Sequence, residues 1–272
     1  MQSRTKTIES GRHLEIEMFP VTQHGHRHDR KKKLSSTEQR AQNQKNAEKR
    51  LVRLVNTNFV RGDIIITLQY RAEMRGNLSY AAVVRDTQNY LRRVKRYRDK
   101  HSMSAIKYIY VVELAGKTNW HVHLLMSKLP REVAEKLWSN ADFVNSKSFQ
   151  PTVQEGGAAF ANYIAGKKPG KDVSEKYWRR WNSSKNLQQP TERHKDGTHT
   201  RRGIARIARE YIDTKAYWER KYKGYRFVSA VPRYNEFNGW WYLYVQMYRI
   251  ESPAAVNNRK RKQNTAATRL RV

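Results

Sequence analysis

The segment Trp120-His121-Val122-His123-Leu124-Leu125-Met126 constrains the fold more than any other stretch of the chain. Read as a β-strand, it sends residues two apart to the same side. His121 and His123 then share one face, while Val122, Leu124 and Met126 pack on the other as a core strand does. Two imidazoles side by side can hold one metal ion. Taken alone, though, a His-x-His in an apolar strand is more often two satisfied or surface histidines than a ligand pair, so the flanking sequence has to decide.

Lys107 to Leu114 reads as a partner strand, joined by the five-residue loop Ala115-Gly116-Lys117-Thr118-Asn119. A hairpin symmetric about Lys117 sets Glu113 opposite His121 and Val111 opposite His123, which brings a carboxylate to the histidine pair. Further on, Tyr163 and Lys167 stand at i and i+4 and would share a helix face, a phenol beside a cation. That spacing alone occurs by chance in many helices, and a lysine near a helix end is commonly a surface residue. Together, a metal site, a phenol and a cation are what a tyrosine needs to cleave a phosphodiester.

The charge points the same way. With 55 Lys and Arg against 24 Asp and Glu, the formal charge is +31 over 272 residues. Such a field draws polyanions, so nucleic acid is the expected partner, and Trp and Tyr interleaved with the cations offer surfaces for base stacking. The chain has no cysteine, which excludes disulfides, thiolate zinc sites and cysteine nucleophiles. No apolar run of membrane-spanning length and no signal-like N-terminus is expected, consistent with a cytoplasmic protein that engages no membrane.

Along the chain, residues 1–35 are expected to form a flexible basic arm carrying His24, His26, His28 and Arg30-Lys31-Lys32-Lys33. A helix follows from the capping sequence at Ser35–Gln39 to about Asn58. Asp63–Tyr70 reads as a central strand, and Ser79 caps a helix whose inner face is Tyr80, Val83, Val84, Thr87, Leu91, Val94 and Tyr97. Pro130 opens a short helix through Trp138, Phe149–Val153 reads as a strand, and Ala158 to about Gly166 as a helix ending beside Lys167. A helical region over 202–221 and strands at Arg226–Val231 and Trp241–Ile250 complete a domain expected to span 36–250, with the chemistry within 59–170. Residues 251–272, with Arg259-Lys260-Arg261-Lys262, are expected to be a disordered basic tail. Arg179, Arg180 and Lys185, in and beside a basic aromatic stretch, are candidates to contact DNA.

Three motifs carry a resemblance: Ile66-Thr67-Leu68-Gln69-Tyr70, His121-Val122-His123, and Tyr163-Ile164-Ala165-Gly166-Lys167. In this order they resemble the HUH endonucleases, specifically the single-tyrosine rolling-circle replication initiators of plasmids and bacteriophages, over roughly residues 45 to 190. The resemblance implies an α+β fold with an RRM or ferredoxin-like core, a central antiparallel sheet with helices packed on it. It also implies a site-specific nick of single-stranded DNA through a 5′-phosphotyrosine intermediate, leaving a free 3′-hydroxyl. Tyr163 and Lys167 would be catalytic, and His121 and His123, completed by Glu113, would hold the metal. The positions one turn before Tyr163 are Ala159 and Phe160, so a second catalytic tyrosine is not expected there.

Mg²⁺ or Mn²⁺ is the expected ion, since phosphate supplies hard ligands and imidazoles favour Mn²⁺. Zinc fits the ligand set as well, and iron suits two histidines and a carboxylate. The expected partners are single-stranded or supercoiled origin DNA, with a host helicase and DNA polymerase in a bacterial cytoplasm. Gly166-Lys167-Lys168-Pro169-Gly170-Lys171-Asp172 superficially resembles a phosphate loop, but it has three residues between its glycines and Asp in place of Ser or Thr. No ATPase is therefore expected within the chain. The competing readings are a conjugative relaxase or single-tyrosine transposase, and a basic nucleic-acid-binding protein without catalysis.

Overall fold

The computed structural model describes residues 2–21, 36–166 and 181–250, in two compact units: Leu34–Gln189, and Met1–Lys33 together with Pro190–Val272. Each has its own antiparallel five-stranded sheet with helices against it, an α+β fold as expected.

In the unit Leu34–Gln189 the strands are β3 (Ile64–Leu68), β4 (Tyr108–Ala115), β5 (Asn119–Met126), β6 (Asn145–Ser148) and β7 (Asn182–Ser183), in the order β6-β3-β5-β4-β7. The helices are α1 (Ser36–Asn58), α2 (Ala72–Arg75), α3 (Tyr80–Lys100), α4 (Arg131–Lys136) and α5 (Ala158–Ala165). Alternation along the strands makes two apolar faces. Ile66, Leu68, Val112, Val122 and Leu124 belong to one buried cluster with Val83, Tyr90, Leu91 and Val94 of α3 and Ala134 of α4. Ile109, Val111 and Leu125 belong to another with Leu51, Leu54 and Val55 of α1 and Ala161 and Ile164 of α5. Each such aliphatic side chain, fully buried, contributes about 1.5–3 kcal/mol.

Local chemistry fixes the helices. Ser79 caps α3, its hydroxyl oxygen accepting from the Ala82 N–H at 3.2 Å. Near the other end of α3, Arg98 turns inward because its guanidinium donates to the carbonyls of Ser104 and Lys128, both at 2.8 Å. At the start of α5, a Cβ on Gly157 would lie 2.4 Å from Val55 Cγ1 and 2.8 Å from Phe149 Cζ, so only glycine lets α5 approach α1 this closely.

The strand expected at Phe149–Val153 lies earlier, as β6, and Phe149 instead fills the cluster between the sheet and α1. Its sequence, Asn-Ser-Lys-Ser, hides it: β6 is an edge strand that turns only Ser146 inward, where the hydroxyl meets Arg131 and Glu135.

The second unit departs further from expectation. Residues 2–21 are not an arm: β1 (Gln2–Ser10) and β2 (His13–Val21) form a hairpin, turned at Gly11 with φ 60°. They join β8 (Thr191–Asp196), β9 (Tyr225–Asn235) and β10 (Trp240–Arg249) in the order β8-β1-β2-β10-β9. Leu14, Ile16 and Met18 pair with Met247, Val245 and Leu243. This face is covered by α6 (Arg201–Arg206), its π-helical continuation Ile207–Tyr211, and α7 (Lys215–Lys221), through Ile204, Ile207, Ala208 and Trp218. The apolar period of two was masked by the intervening Glu15 and Glu17 and by the basic run downstream. The single domain expected over 36–250 is thus two units, one of them built from both ends of the chain. His24–Lys33 and the tail segment Arg259–Lys262 lie outside the described residues.

Candidate metal centre and nucleophile

The site occupies the sheet face that also carries the α1 and α5 core. Along β4 this face reads Ile109, Val111, Glu113, and along β5 Leu125, His123, His121, so it passes from apolar to polar towards the hairpin turn. The register pairs Glu113 with His121 and Val111 with His123, as the loop symmetry predicts. Glu113 Oε2 lies 2.9 Å from His121 Nε2 and 2.9 Å from His123 Nε2. Both imidazoles are buried. Among the described residues, these three form the one group of such side chains able to hold a metal ion, their candidate ligand atoms all within 4.8 Å of one another.

The surroundings of the rings favour a cation at the centre. His121 Nδ1 lies 3.1 Å from the Asn119 carbonyl oxygen, which can only accept, so Nδ1 carries a hydrogen. In the neutral imidazole this leaves the Nε2 lone pair facing a carboxylate oxygen, a clash of acceptors that a proton or a metal ion relieves. A backbone carbonyl that fixes the outer nitrogen of a ligand histidine is the usual companion of such sites. His123 Nδ1 has a partner too, the Thr67 hydroxyl at 3.4 Å, positioned because β3 pairs Thr67 with His123. Thr67 lies inside a recognised motif, yet its part in the site depends on the β3–β5 register, which no local pattern specifies.

Tyr163 reaches the same centre from α5. Its neighbours Ile164 and Ala161 are buried, whereas Tyr163 is 50% exposed, with its hydroxyl 3.3 Å from His123 Nε2. The rings of His123 and Tyr163 meet edge to face, centroids 4.9 Å apart. Tyr70, at the end of the first motif, has a contrasting environment. It is buried, it donates to Asp86 Oδ2 at 3.3 Å, and burial followed by the Asp86 charge pushes its phenol far above the ordinary range. A phenol so strongly held in its protonated form makes a poor nucleophile, while Tyr163 is open to a substrate.

Glu113, His121, His123 and Tyr163 are therefore brought together. Lys185 is not: it is exposed just beyond β7, which pairs with Ile109 and Tyr110 at the end of β4 remote from Glu113. Lys167, Arg179 and Arg180 lie outside the described residues. No described helix is long and apolar enough to cross a membrane.

Residues 63–168 match the family model for the replication-associated protein ORF2, a segment that contains β3, β4, β5, α5 and all four clustered side chains. This similarity supports a role in the initiation of replication. Comparison with curated proteins and with solved structures finds no match to the chain.

Proposed function

We propose that the protein is a metal-dependent, site-specific endonuclease and strand transferase for single-stranded DNA, which starts rolling-circle replication by nicking an origin through Tyr163. The observation that carries this reading is the placement of the Tyr163 hydroxyl against a Glu113–His121–His123 cluster, within a segment similar to replication-associated proteins. Glu113 Oε2 and the two Nε2 atoms would hold Mg²⁺ or Mn²⁺. Such an ion supplies positive charge where a phosphodiester meets an anionic nucleophile.

The chain's own residues do the rest. The Tyr163 oxygen attacks phosphorus as its proton leaves to water, forming the tyrosyl O–P bond. The bond from phosphorus to the 3′-oxygen breaks, and that oxygen takes a proton to leave a 3′-hydroxyl. The covalent link conserves the phosphodiester's energy, so a later 3′-hydroxyl can reseal the strand without a nucleotide cofactor. Lys167, four residues beyond Tyr163, is proposed to favour the phenolate or to neutralise phosphate charge, and Arg179, Arg180 and Lys185 to contact the strand. With no ATP-binding sequence recognised, unwinding and extension fall to a host helicase and polymerase in a bacterial cytoplasm.

The full chain should be incubated with Mn²⁺ and single-stranded oligonucleotides tiling the DNA that flanks its reading frame. One or a few of them should yield a protein–DNA adduct that survives denaturation, with the nucleotide mapped to Tyr163 by peptide mass. Tyr163→Phe should give none. An undiminished adduct in that variant would move the nucleophile to another tyrosine.

A further inference from the structure

We infer that the unit built from both chain ends carries a surface for duplex DNA, made by the tip of the β9–β10 hairpin and the outer side of α6. Its centre is Phe237, which is 100% exposed at the hairpin turn. A single exposed apolar side chain is ordinary, but this one stands on a turn whose conformation is fixed. The Asn235 side-chain oxygen accepts from the N–H groups of Phe237 at 3.0 Å and Asn238 at 3.4 Å, and Asn238 Oδ1 accepts from the Trp240 N–H at 3.0 Å. Gly239 takes φ 65°, and Arg201 Nε donates to its carbonyl at 2.8 Å, tying the start of α6 to the tip. The ring is thus held out in solvent by a rigid support, beside Tyr234, which is 47% exposed.

Cations surround it. Arg202, Arg206 and Arg209 are exposed at four- and three-residue spacing, on the side of the helix away from buried Ile204, Ile207 and Ala208. Arg233 is exposed near the tip on β9. Glu210, Asp213 and Glu236 are the acids close by in sequence, outnumbered by the arginines once Arg201 is added, and this leaves a positive surplus suited to a phosphate backbone.

The shape favours a duplex over a single strand. Surfaces for single strands stack successive bases on several open rings. Here Tyr211 and Tyr217 stack on each other, centroids 5.1 Å apart and 15° from parallel, and the fully open ring is Phe237. A two-stranded ribbon fits a DNA groove, and an apolar ring at its end can wedge between base steps while adjacent cations hold the phosphates.

The test uses the full chain, about 0.15 M salt, and a fluorescent duplex beside a single strand of the same sequence. Phe237→Ala should weaken duplex binding about tenfold. It should also abolish the rise in emission from a 2-aminopurine placed within the bound duplex. Changing Arg202, Arg206 and Arg209 together to Gln should weaken duplex binding and flatten its salt slope by roughly 0.9 for each phosphate no longer neutralised. All four residues are exposed, so folding should be unaffected, and adduct formation on a single-stranded substrate should persist in every variant. Absence of the adduct in Tyr163→Phe with duplex binding intact would concern the nicking chemistry alone. Unchanged duplex affinity and salt slope in these variants would overturn the inference, as would a weakening confined to the single strand.

Discussion

Glu113 and His121 are cross-strand partners on β4 and β5, and the Glu113 carboxylate spans from His121 to His123, two residues along β5. A single carboxylate oxygen 2.9 Å from two imidazole nitrogens makes the three side chains one electrostatic unit. Removing any of them should therefore disturb all three. His121→Ala and His123→Ala should lower Mn²⁺ affinity by at least about 100-fold, measured by calorimetry, with the fold kept because the apolar face of β5 is untouched. Glu113→Gln keeps the shape and removes the charge, and should also weaken Mn²⁺. Wild-type affinity in that variant would remove Glu113 from the ligand set.

Thr67 allows a finer measurement. Its hydroxyl lies 3.4 Å from His123 Nδ1, so Thr67→Val removes the polar partner while retaining a β-branched residue suited to β3. Mn²⁺ affinity should fall about tenfold, and Thr67→Ser should restore it. Equal affinity in Thr67→Val and the wild type would show that the hydroxyl does not orient the ring.

The β4–β5 hairpin could be read from the sequence because its information is local: a symmetric loop and a period of two fix which residues face each other. The same holds for α3, where the cap and the apolar spacing agree. Tyr90 was missed on its inner face, since a tyrosine is recognised as buried only once its hydroxyl has a partner, here the Ala134 carbonyl at 2.9 Å. Non-local pairings left no such trace. Thr67 meets His123 across 56 positions, and β2 pairs with β10 from the opposite end of the chain. Leu14, Ile16 and Met18 alternate as a strand should, but a strand so rich in charge looks like a solvated segment until its partner is known.

Gly157 connects packing to the site. A methyl group there would meet Val55 Cγ1 at 2.4 Å and Phe149 Cζ at 2.8 Å, so Gly157→Ala must push α5 away from α1. Overpacking of this kind costs about 1–3 kcal/mol. Because α5 carries Tyr163, a shift near 1 Å should also cost about 100-fold in the proposed cleavage. Gly76→Ala is the control, since no atom lies within 4 Å of its added Cβ. Thermal unfolding and adduct yield should fall together for Gly157→Ala and remain near wild type for Gly76→Ala. Wild-type behaviour from Gly157→Ala would mean that the helix contact has slack.

The unit built from both chain ends should lose stability in mild acid. Burial holds the imidazole of His13 below its ordinary range, although Glu15 opposes this, and burial followed by the Lys221 charge does the same to His199. The Lys221 ammonium lies 3.0 Å from His199 Nε2, a contact that needs the neutral ring as acceptor. In both cases the folded pKa is below the unfolded value of about 6.5, so the unfolded chain binds more protons in the intervening window. Stability is then complete above about pH 6.5 and declines as the pH falls through the folded values. Calorimetric melting from about pH 7.5 down to about pH 5 should show a falling midpoint. His13→Phe keeps a ring against Tyr248, whose centroid lies 5.1 Å away, and combined with His199→Gln it should flatten the decline without abolishing folding. An equal decline in the double variant would place the acid sensitivity in other groups.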